Sequence, residues 1–293
     1  MPVDDLQKKI ADAVARSGYP LEQRVGHLLE LKGWNSFYSI NYTDPSSGSE
    51  RELDILAYKI IRERRIELRI SCKRSLSKPW ILFTEDVERY YKRGSVLKVT
   101  PVSSDVDVYQ QILAALKDLK FFSHSRKAIN FTVFSGKELN SEARALMKDG
   151  LYSSITSVYH QLFPFNLLSD QRGTIYFFVT VFDGLLFESY YDARTDEDKV
   201  TQIDYGQWEK RFQLHRVTDE ILDANGRKVS LSSVIYYFSD WFQVEIVTWS
   251  YFSEYIEHME KTFESLTESQ LELFGLPWRT ENFPRTVGSR PDF

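Results

Sequence analysis

The sequence predicts a mixed α/β fold, an α+β arrangement of helices on a mixed sheet. Two segments near the N-terminus carry apolar residues at helical spacing, at 3–16 and 20–33. Two segments with alternating apolar and polar residues, at 52–58 and 66–73, flank a polar tip, which is the pattern of a β-hairpin. A continuous apolar run at 173–181 is typical of a buried strand. Together these patterns favour helices packed on one sheet.

Composition describes an ordinary globular chain of 293 residues, with 42% hydrophobic and 27% charged residues. No run of eighteen apolar residues occurs, and the N-terminal residues lack the apolar stretch of a signal peptide. The single cysteine, Cys72, has no partner for an internal disulfide and fits a reducing compartment. We therefore expect a cytoplasmic protein with no membrane segment.

The first two helices are expected at 3–16, ending at Ser17-Gly18, and from Pro20 to Gly33. Glu22 lies on the apolar stripe of the second helix, three residues before Val25, so its carboxylate is expected to face inward. The alternative is that Glu22 only complements the positive end of the helix from its first turn.

A strand at 37–42 precedes the hairpin, whose turn is expected between Arg62 and Glu63. Residues whose numbers sum to about 125 then pair across the hairpin, which places Asp54 opposite Ser71 and Glu52 opposite Lys73. Carboxylates and an ammonium group meet on one face. The opposite face, directed towards a core, carries Leu53, Ile55, Ile70 and Cys72.

Basic charge is concentrated around this hairpin, although the net charge of the chain is −5. Residues 59–98 contain twelve Lys and Arg against five Asp and Glu, a local balance of +7. Such a patch indicates a surface for a phosphate backbone. The alternative is a hairpin tip that is merely solvated. The candidate nucleic-acid-binding residues are Arg62, Arg64, Arg65, Arg69, Arg74 and Lys78.

Further helices are expected from Thr84, as N-cap, to Arg93 and at 105–121, followed by a strand at 129–134. In the second half, Asp183-Gly184 indicates a hairpin turn and Asn225-Gly226 another turn, with a strand at 244–248 and a helix at 250–266. We place a boundary near residue 135, dividing the chain into residues 1–135 and 136–293. Since no flexible linker separates the halves, we expect a continuous sheet or two tightly packed lobes.

The hairpin motif resembles a known family. Asp54, the hairpin tip and then Ser71-Cys72-Lys73-Arg74 resemble the PD-(D/E)xK restriction-endonuclease-like superfamily, in its Mrr-like branch. The resemblance implies an αβββαβ core within residues 1–135, with 136–293 as a C-terminal α/β extension. It also implies a Mg²⁺ or Mn²⁺ cofactor held by Asp54, with Lys73 as a catalytic residue and Glu22 assisting from the first core helix.

Ser71 departs from the family pattern, which normally has an acid or glutamine at that position. Three explanations stay open: Glu85 or Glu88 supplies the second acid from a helix after Lys73, Glu52 supplies it, or nothing replaces it. A carboxylate is required because Mg²⁺ in proteins is bound through one or two carboxylates, with water and substrate oxygens completing the shell.

The resemblance implies a divalent-metal-dependent endonuclease that cleaves nucleic acid, with DNA as the expected substrate, in restriction or anti-phage defence. The alternative is a degenerate nuclease fold that binds nucleic acid or a protein without cleaving. The acidic second half is a candidate surface for a homodimer or a protein partner. No glycine-rich phosphate loop or spaced histidine metal site occurs in the chain.

Overall fold

The computed structural model describes residues 3–44, 48–86, 126–137, 139, 143–162, 174–211, 220–222, 228–230 and 241–272. These residues form a mixed α/β protein, as the sequence predicts. The helices are α1 (Val3–Arg16), α2 (Tyr19–Leu31), α3 (Ala143–Leu162), α4 (Phe252–Ser265) and α5 (Glu268–Glu272). The strands are β1 (Asn35–Thr43), β2 (Glu50–Ile61), β3 (Arg64–Asp86), β4 (Arg126–Val133), β5 (Thr174–Asp192), β6 (Glu197–Ile203), β7 (Tyr205–Arg211), β8 (Glu220–Leu222), β9 (Lys228–Ser230) and β10 (Trp241–Thr248).

Eight of these strands form one sheet, in the order β1-β2-β3-β4-β7-β10-β5-β6, and β3 also pairs with β5. The pairings of β3, β4, β7, β10 and β5 therefore close on themselves. Strands from both sides of residue 135 alternate in this sheet, and β5 runs parallel to β3 along most of its length. The halves 1–135 and 136–293 thus share a single continuous sheet, which is one of the two arrangements expected.

The central strand β3 is buried on both faces because helices cover the sheet from both sides. Its residues Ile66, Leu68, Ile70 and Cys72 belong to a core shared with α2 and α4. The alternate residues of β3 point to the other face, where α3 packs together with apolar residues of β4, β5, β7 and β10. Lys73, one of these alternate residues, therefore contacts α3.

The hairpin has the predicted register. Ile55 lies opposite Ile70 and Ile61 opposite Arg64, so the loop contains only Arg62 and Glu63. Both loop residues have positive φ angles, 47° and 60°, as in the two-residue turns whose twist matches that of paired strands.

Glu63→Gly is expected to stabilise the protein by about 0.5–1 kcal/mol, because glycine adopts a positive φ without the steric cost that other residues incur. The side chain of Glu63 is exposed, so its removal affects no packing. Urea denaturation measures the change. Glu63→Ala is the control, since alanine retains the unfavourable φ. An equal gain from alanine would assign the effect to the side chain.

The predicted helix start at Thr84 and the predicted turn at Asp183-Gly184 are wrong, while residues 87–93 of that helix lie outside the described residues. Thr84 does not cap a helix: β3 continues through Thr84 to Asp86, bonded to β4. Asp183-Gly184 is not a turn either, because β5 passes through both residues as one strand. Gly184 is needed for close approach instead, since a Cβ there would lie 2.4 Å from the backbone oxygen of Ser75. The register of β3 against β5 shifts between Ser75 and Trp80, around Pro79.

The remaining predicted elements agree with the structure wherever their residues are described. The strand predicted at 129–134 corresponds to β4, and those at 37–42 and 244–248 lie within β1 and β10. The helix predicted at 250–266 is α4. Asn225-Gly226 falls between β8 and β9, which pair as antiparallel neighbours. The helix predicted at 105–121 lies outside the described residues.

Candidate functional site

The hairpin brings Asp54 and Ser71 into contact, as the sequence predicts. Asp54 Oδ2 accepts hydrogen bonds from the Cys72 backbone N–H, at 2.5 Å, and from Ser71 Oγ, at 3.2 Å. Its other oxygen, Oδ1, accepts no hydrogen bond from the part of the chain that the structure describes. Ser71 is fully buried, so its hydroxyl fixes the direction of the Asp54 carboxylate and leaves Oδ1 for another partner.

Glu22 reaches the same place from the first turn of α2. Burial raises the pKa of Glu22, and the neighbouring carboxylates of Asp54 and Glu52 raise it further, with Lys73 opposing them. The Glu22 carboxylate is half-buried and has no hydrogen-bond or ion-pair partner within the described ranges. Glu22 therefore lies within electrostatic reach of Asp54 and Glu52 as well as in the first turn of α2, so the helix end is not its whole environment.

The pKa of Asp54 is raised as well, first by burial. Lys73 and the hydrogen bonds from Cys72 and Ser71 lower it in part, and Glu52 raises it. Three carboxylates thus share one region with one ammonium group. We call Glu22, Glu52, Asp54 and Lys73 the acidic cluster. Such an excess of negative charge is a feature that a bound cation would relieve.

Glu22→Gln is expected to raise stability at neutral pH by less than about 1 kcal/mol, since solvent screens a half-exposed group. A raised pKa means that the folded protein binds the proton more readily than the unfolded chain does. The wild type therefore loses stability as the pH rises from the ordinary value, 4.5, through the raised value. Below this window the variant and the wild type should have nearly equal Tm values.

Glu257→Gln provides a control of opposite sign for that measurement. The hydrogen bond from Lys32 lowers the pKa of Glu257, so its contribution is present above the ordinary pKa and is lost as the pH falls. Glu257→Gln should lower Tm at neutral pH. A Tm of the Glu22 variant that falls below the wild type at neutral pH would contradict the repulsion inferred within the acidic cluster.

Lys73 lies on β3, two residues beyond Ser71, and its side chain contacts α3. Lys73 Nζ is 3.4 Å from Asp149 Oδ2, and the stem of Lys73 passes directly over Gly150. Asp149 also pairs with Arg51, which reaches Asp44. Sequence reasoning missed Asp149 and Gly150, because no local pattern indicates that residues far beyond the hairpin pack on it.

The candidate second acids differ in their distance from Asp54. Glu85 lies in strand β3, opposite Lys127, and not on a helix. Lys73 pairs with Phe182 of β5 and Phe83 with Ser189, seven residues further along, which is roughly 23 Å at about 3.3 Å per residue. Glu85 is thus too distant to bind the same metal ion as Asp54, and that prediction is wrong. Glu88 lies outside the described residues.

Glu52 stays close to the acidic cluster. It is exposed on β2, opposite Asn41 of β1, and its charge raises the pKa of both Glu22 and Asp54. Its side chain is free to turn towards the other two carboxylates, since no hydrogen bond or ion pair holds it within the described ranges.

The arginines of the hairpin are engaged within the protein. Arg69 is fully buried beside Glu67, and Arg64 is buried against the carbonyl oxygen of Leu271. Their predicted role in phosphate binding is therefore wrong, because neither guanidinium reaches the surface. Arg62 bonds Glu268 and the Leu266 carbonyl oxygen, and Arg65 pairs with Glu67 and stacks over Tyr58.

Arg62, Arg74 and Lys78 are predicted binding residues whose side chains remain partly or fully exposed. Arg74 is half-buried and pairs with Asp183, which also binds Arg24 of α2. Lys78 is exposed in the irregular part of β3. Within the described residues 59–86, fewer basic side chains are therefore available to a ligand than the charge count suggests, and residues 87–98 of the basic segment lie outside the described residues.

Comparison with protein-family models, curated proteins and solved structures found no match to the chain. Across the described ranges, no three His, Cys, Asp or Glu side chains converge closely enough to hold a metal ion by themselves. In the same ranges, none of the helices combines the length and apolar character needed to cross a bilayer.

Proposed function

We propose that the protein is a divalent-metal-dependent nuclease that cleaves phosphodiester bonds, with DNA as its substrate. The observation that carries the proposal is Glu22, a half-buried carboxylate that has no hydrogen-bond or ion-pair partner among the described residues and lies within electrostatic reach of Asp54 and Lys73. These residues come from a helix and two strands, so their approach is a product of the fold. Perturbed carboxylates grouped with a cation are a recurrent feature of functional sites.

The donor chemistry fits Mg²⁺ or Mn²⁺. Asp54 Oδ1 and the Glu22 carboxylate are the two donors that would hold the ion, with Glu52 within electrostatic reach of both. Two carboxylates suffice for Mg²⁺, which retains several water ligands. A bound divalent cation polarises a phosphate oxygen and lowers the pKa of a water molecule.

Ser71, the Cys72 amide and Lys73 have separate roles around the ion in this scheme. Ser71 and the Cys72 amide hold Asp54 in place through one oxygen, so that the other keeps a fixed direction. The Lys73 ammonium contributes positive charge where negative charge develops on the phosphate in the transition state. Ser71 supports the aspartate in this scheme and does not replace the missing acid, which Glu22 supplies from α2.

The order of elements supports a restriction-endonuclease-like core, in a revised form. We infer that α2, β1, β2, β3, α3 and β5 constitute its αβββαβ unit. Helix α3 packs on β3, and β5 lies parallel to β3 along the segment that carries Ser71 and Lys73. In this scheme α3 and β5 take the places expected at 105–121 and 129–134, and β4 is an insertion.

A second candidate is a non-catalytic nucleic-acid-binding or protein-interaction module of the same fold. It is favoured by the lack of a three-ligand metal group in the described residues and by the ion pair between Lys73 and Asp149. Incubation of supercoiled plasmid with the protein separates the two. The nuclease nicks or linearises the plasmid with Mg²⁺ and not with EDTA. Retardation of the plasmid without cleavage in either Mg²⁺ or Mn²⁺ would favour the binding module.

A further inference from the structure

Helix α3 is docked on the lysine of the acidic cluster with unusually close contact. Gly150 is buried, and a Cβ on it would lie 2.8 Å from Cγ of Lys73 and 3.0 Å from Cε. The Gly150 carbonyl oxygen accepts a hydrogen bond of 3.3 Å from Thr180 Oγ1 of β5. The backbone of α3 therefore lies directly on the stem of Lys73, and only glycine leaves room for it.

The residue before this glycine holds the end of the same side chain. Asp149 Oδ2 is 3.4 Å from Lys73 Nζ, and Asp149 Oδ1 is 2.9 Å from Arg51 Nη1. Arg51 Nε is in turn 2.8 Å from the carboxylate of Asp44, whose side chain is only 6% exposed. Asp149 is thus oriented by a second cation that is itself anchored, and it draws the ammonium towards α3.

The alternative partners of Lys73 are the carboxylates of Glu22 and Asp54. Lys73 lowers the pKa of both, which shows that its ammonium is within electrostatic reach of them. If the ammonium moved onto these carboxylates, it would occupy the oxygens that a cation needs. Asp149 opposes that movement by offering a competing carboxylate on α3.

We propose that Asp149 is a positioning residue that holds Lys73 away from Glu22 and Asp54 and so keeps their oxygens available to a divalent cation. This inference rests on the proposed function, because it assigns Asp149 a role at the proposed metal site. The ion pair is partly exposed, with side-chain exposures of 22% and 49%, so it contributes little to the stability of the fold. The ion pair instead determines which carboxylate the Lys73 ammonium contacts.

A double-mutant cycle tests the proposal, with the Kd for Mn²⁺ measured by titration calorimetry on the full chain. Asp149→Asn should raise the Kd about two- to fivefold, the range in which a partly exposed ion pair changes an equilibrium constant. Lys73→Met should not raise it. In the Lys73→Met background, Asp149→Asn should have no further effect, since no ammonium remains to compete.

The matched control is Glu257→Gln, which removes the exposed Lys32–Glu257 ion pair without touching the acidic cluster, and its Kd should equal that of the wild type. The same increase from Asp149→Asn with and without Lys73 would overturn the proposal, because it would reflect lost charge and not the position of the lysine. An unchanged Kd in the single variant would also overturn it. A wild type that binds no Mn²⁺ would instead refute the proposed function itself, together with this inference.

Discussion

Asp54→Asn is expected to reduce Mg²⁺-dependent cleavage by about a hundredfold to a thousandfold, with the fold retained. The amide is a poor ligand for a hard cation, and the loss of one electrostatic stabiliser of a transition state costs about 10²–10³ in kcat. Asparagine keeps the volume of the side chain, and its oxygen still accepts the hydrogen bonds from Cys72 and Ser71. The fall in rate can therefore be assigned to the charge.

Alanine at the same position is a poorer test. Asp54→Ala would leave the Cys72 amide and the buried Ser71 hydroxyl without their acceptor, at a cost of about 1–3 kcal/mol for an unsatisfied buried group. The matched control is Glu50→Gln, an exposed acid on the same strand that lies outside the acidic cluster. Steady-state cleavage rates of Asp54→Asn and Glu50→Gln are compared with that of the wild type. Wild-type rates in Asp54→Asn would place the catalytic centre elsewhere.

The largest expected effect on stability comes from Glu67, a buried acid of β3. Its carboxylate lies 2.5 Å from Arg69 Nη2 and 2.7 Å from Arg65 Nη2, and the side chains of Arg69 and Glu67 are 1% and 4% exposed. Glu67→Gln removes the charge that compensates a buried guanidinium. Such a broken pair costs about 3–5 kcal/mol, which should be measurable as a lower midpoint of urea denaturation.

The paired replacement Glu67→Leu with Arg69→Met separates charge from packing. Removal of both charges leaves no fully buried guanidinium at position 69, and Arg65 loses Glu67 in both proteins, so the double variant should be more stable than Glu67→Gln alone. Arg65 keeps its contact over the Tyr58 ring in both proteins. A double variant that is less stable than the single one would show that these side chains stabilise the core by their shape and hydrogen bonds.

Local patterns predicted the centre of the fold well. The alternation of residues 52–58 and 66–73 and the short polar tip determine the register of the hairpin. The contact between Asp54 and Ser71 follows from that register. Ile55, Ile70 and Cys72 share one core, as the alternation predicts, but Leu53 packs in a separate cluster with Tyr42 and Leu56.

Long-range pairing explains what the sequence could not predict. Strand β3 continues to Asp86 because β4 and β5 bond to it from distant parts of the chain, so Glu85 ends far from the acidic cluster. Similarly, Gly184 looks like a turn residue, but the approach of Ser75 from another strand is what requires it. The contact of α3 with Lys73 also joins segments that are far apart in the sequence.

The arginines show what charge counting cannot predict. Counting charges detects the basic segment but not the partners of its members, so it gave Arg64 and Arg69 a surface role that their burial excludes. One signal was present: Arg65, Glu67 and Arg69 alternate in sign at every second position, and such residues share one face of a strand. That pattern predicts the mutual pairing that the structure contains.

If Glu22 and Asp54 together hold a divalent cation, calorimetric titration of the wild type with Mn²⁺ should show one bound ion. Binding should be lost in Asp54→Asn and weakened in Glu22→Gln, while Glu50→Gln should behave as the wild type. A wild type that binds no ion, or an Asp54→Asn variant with an unchanged Kd, would contradict this proposal.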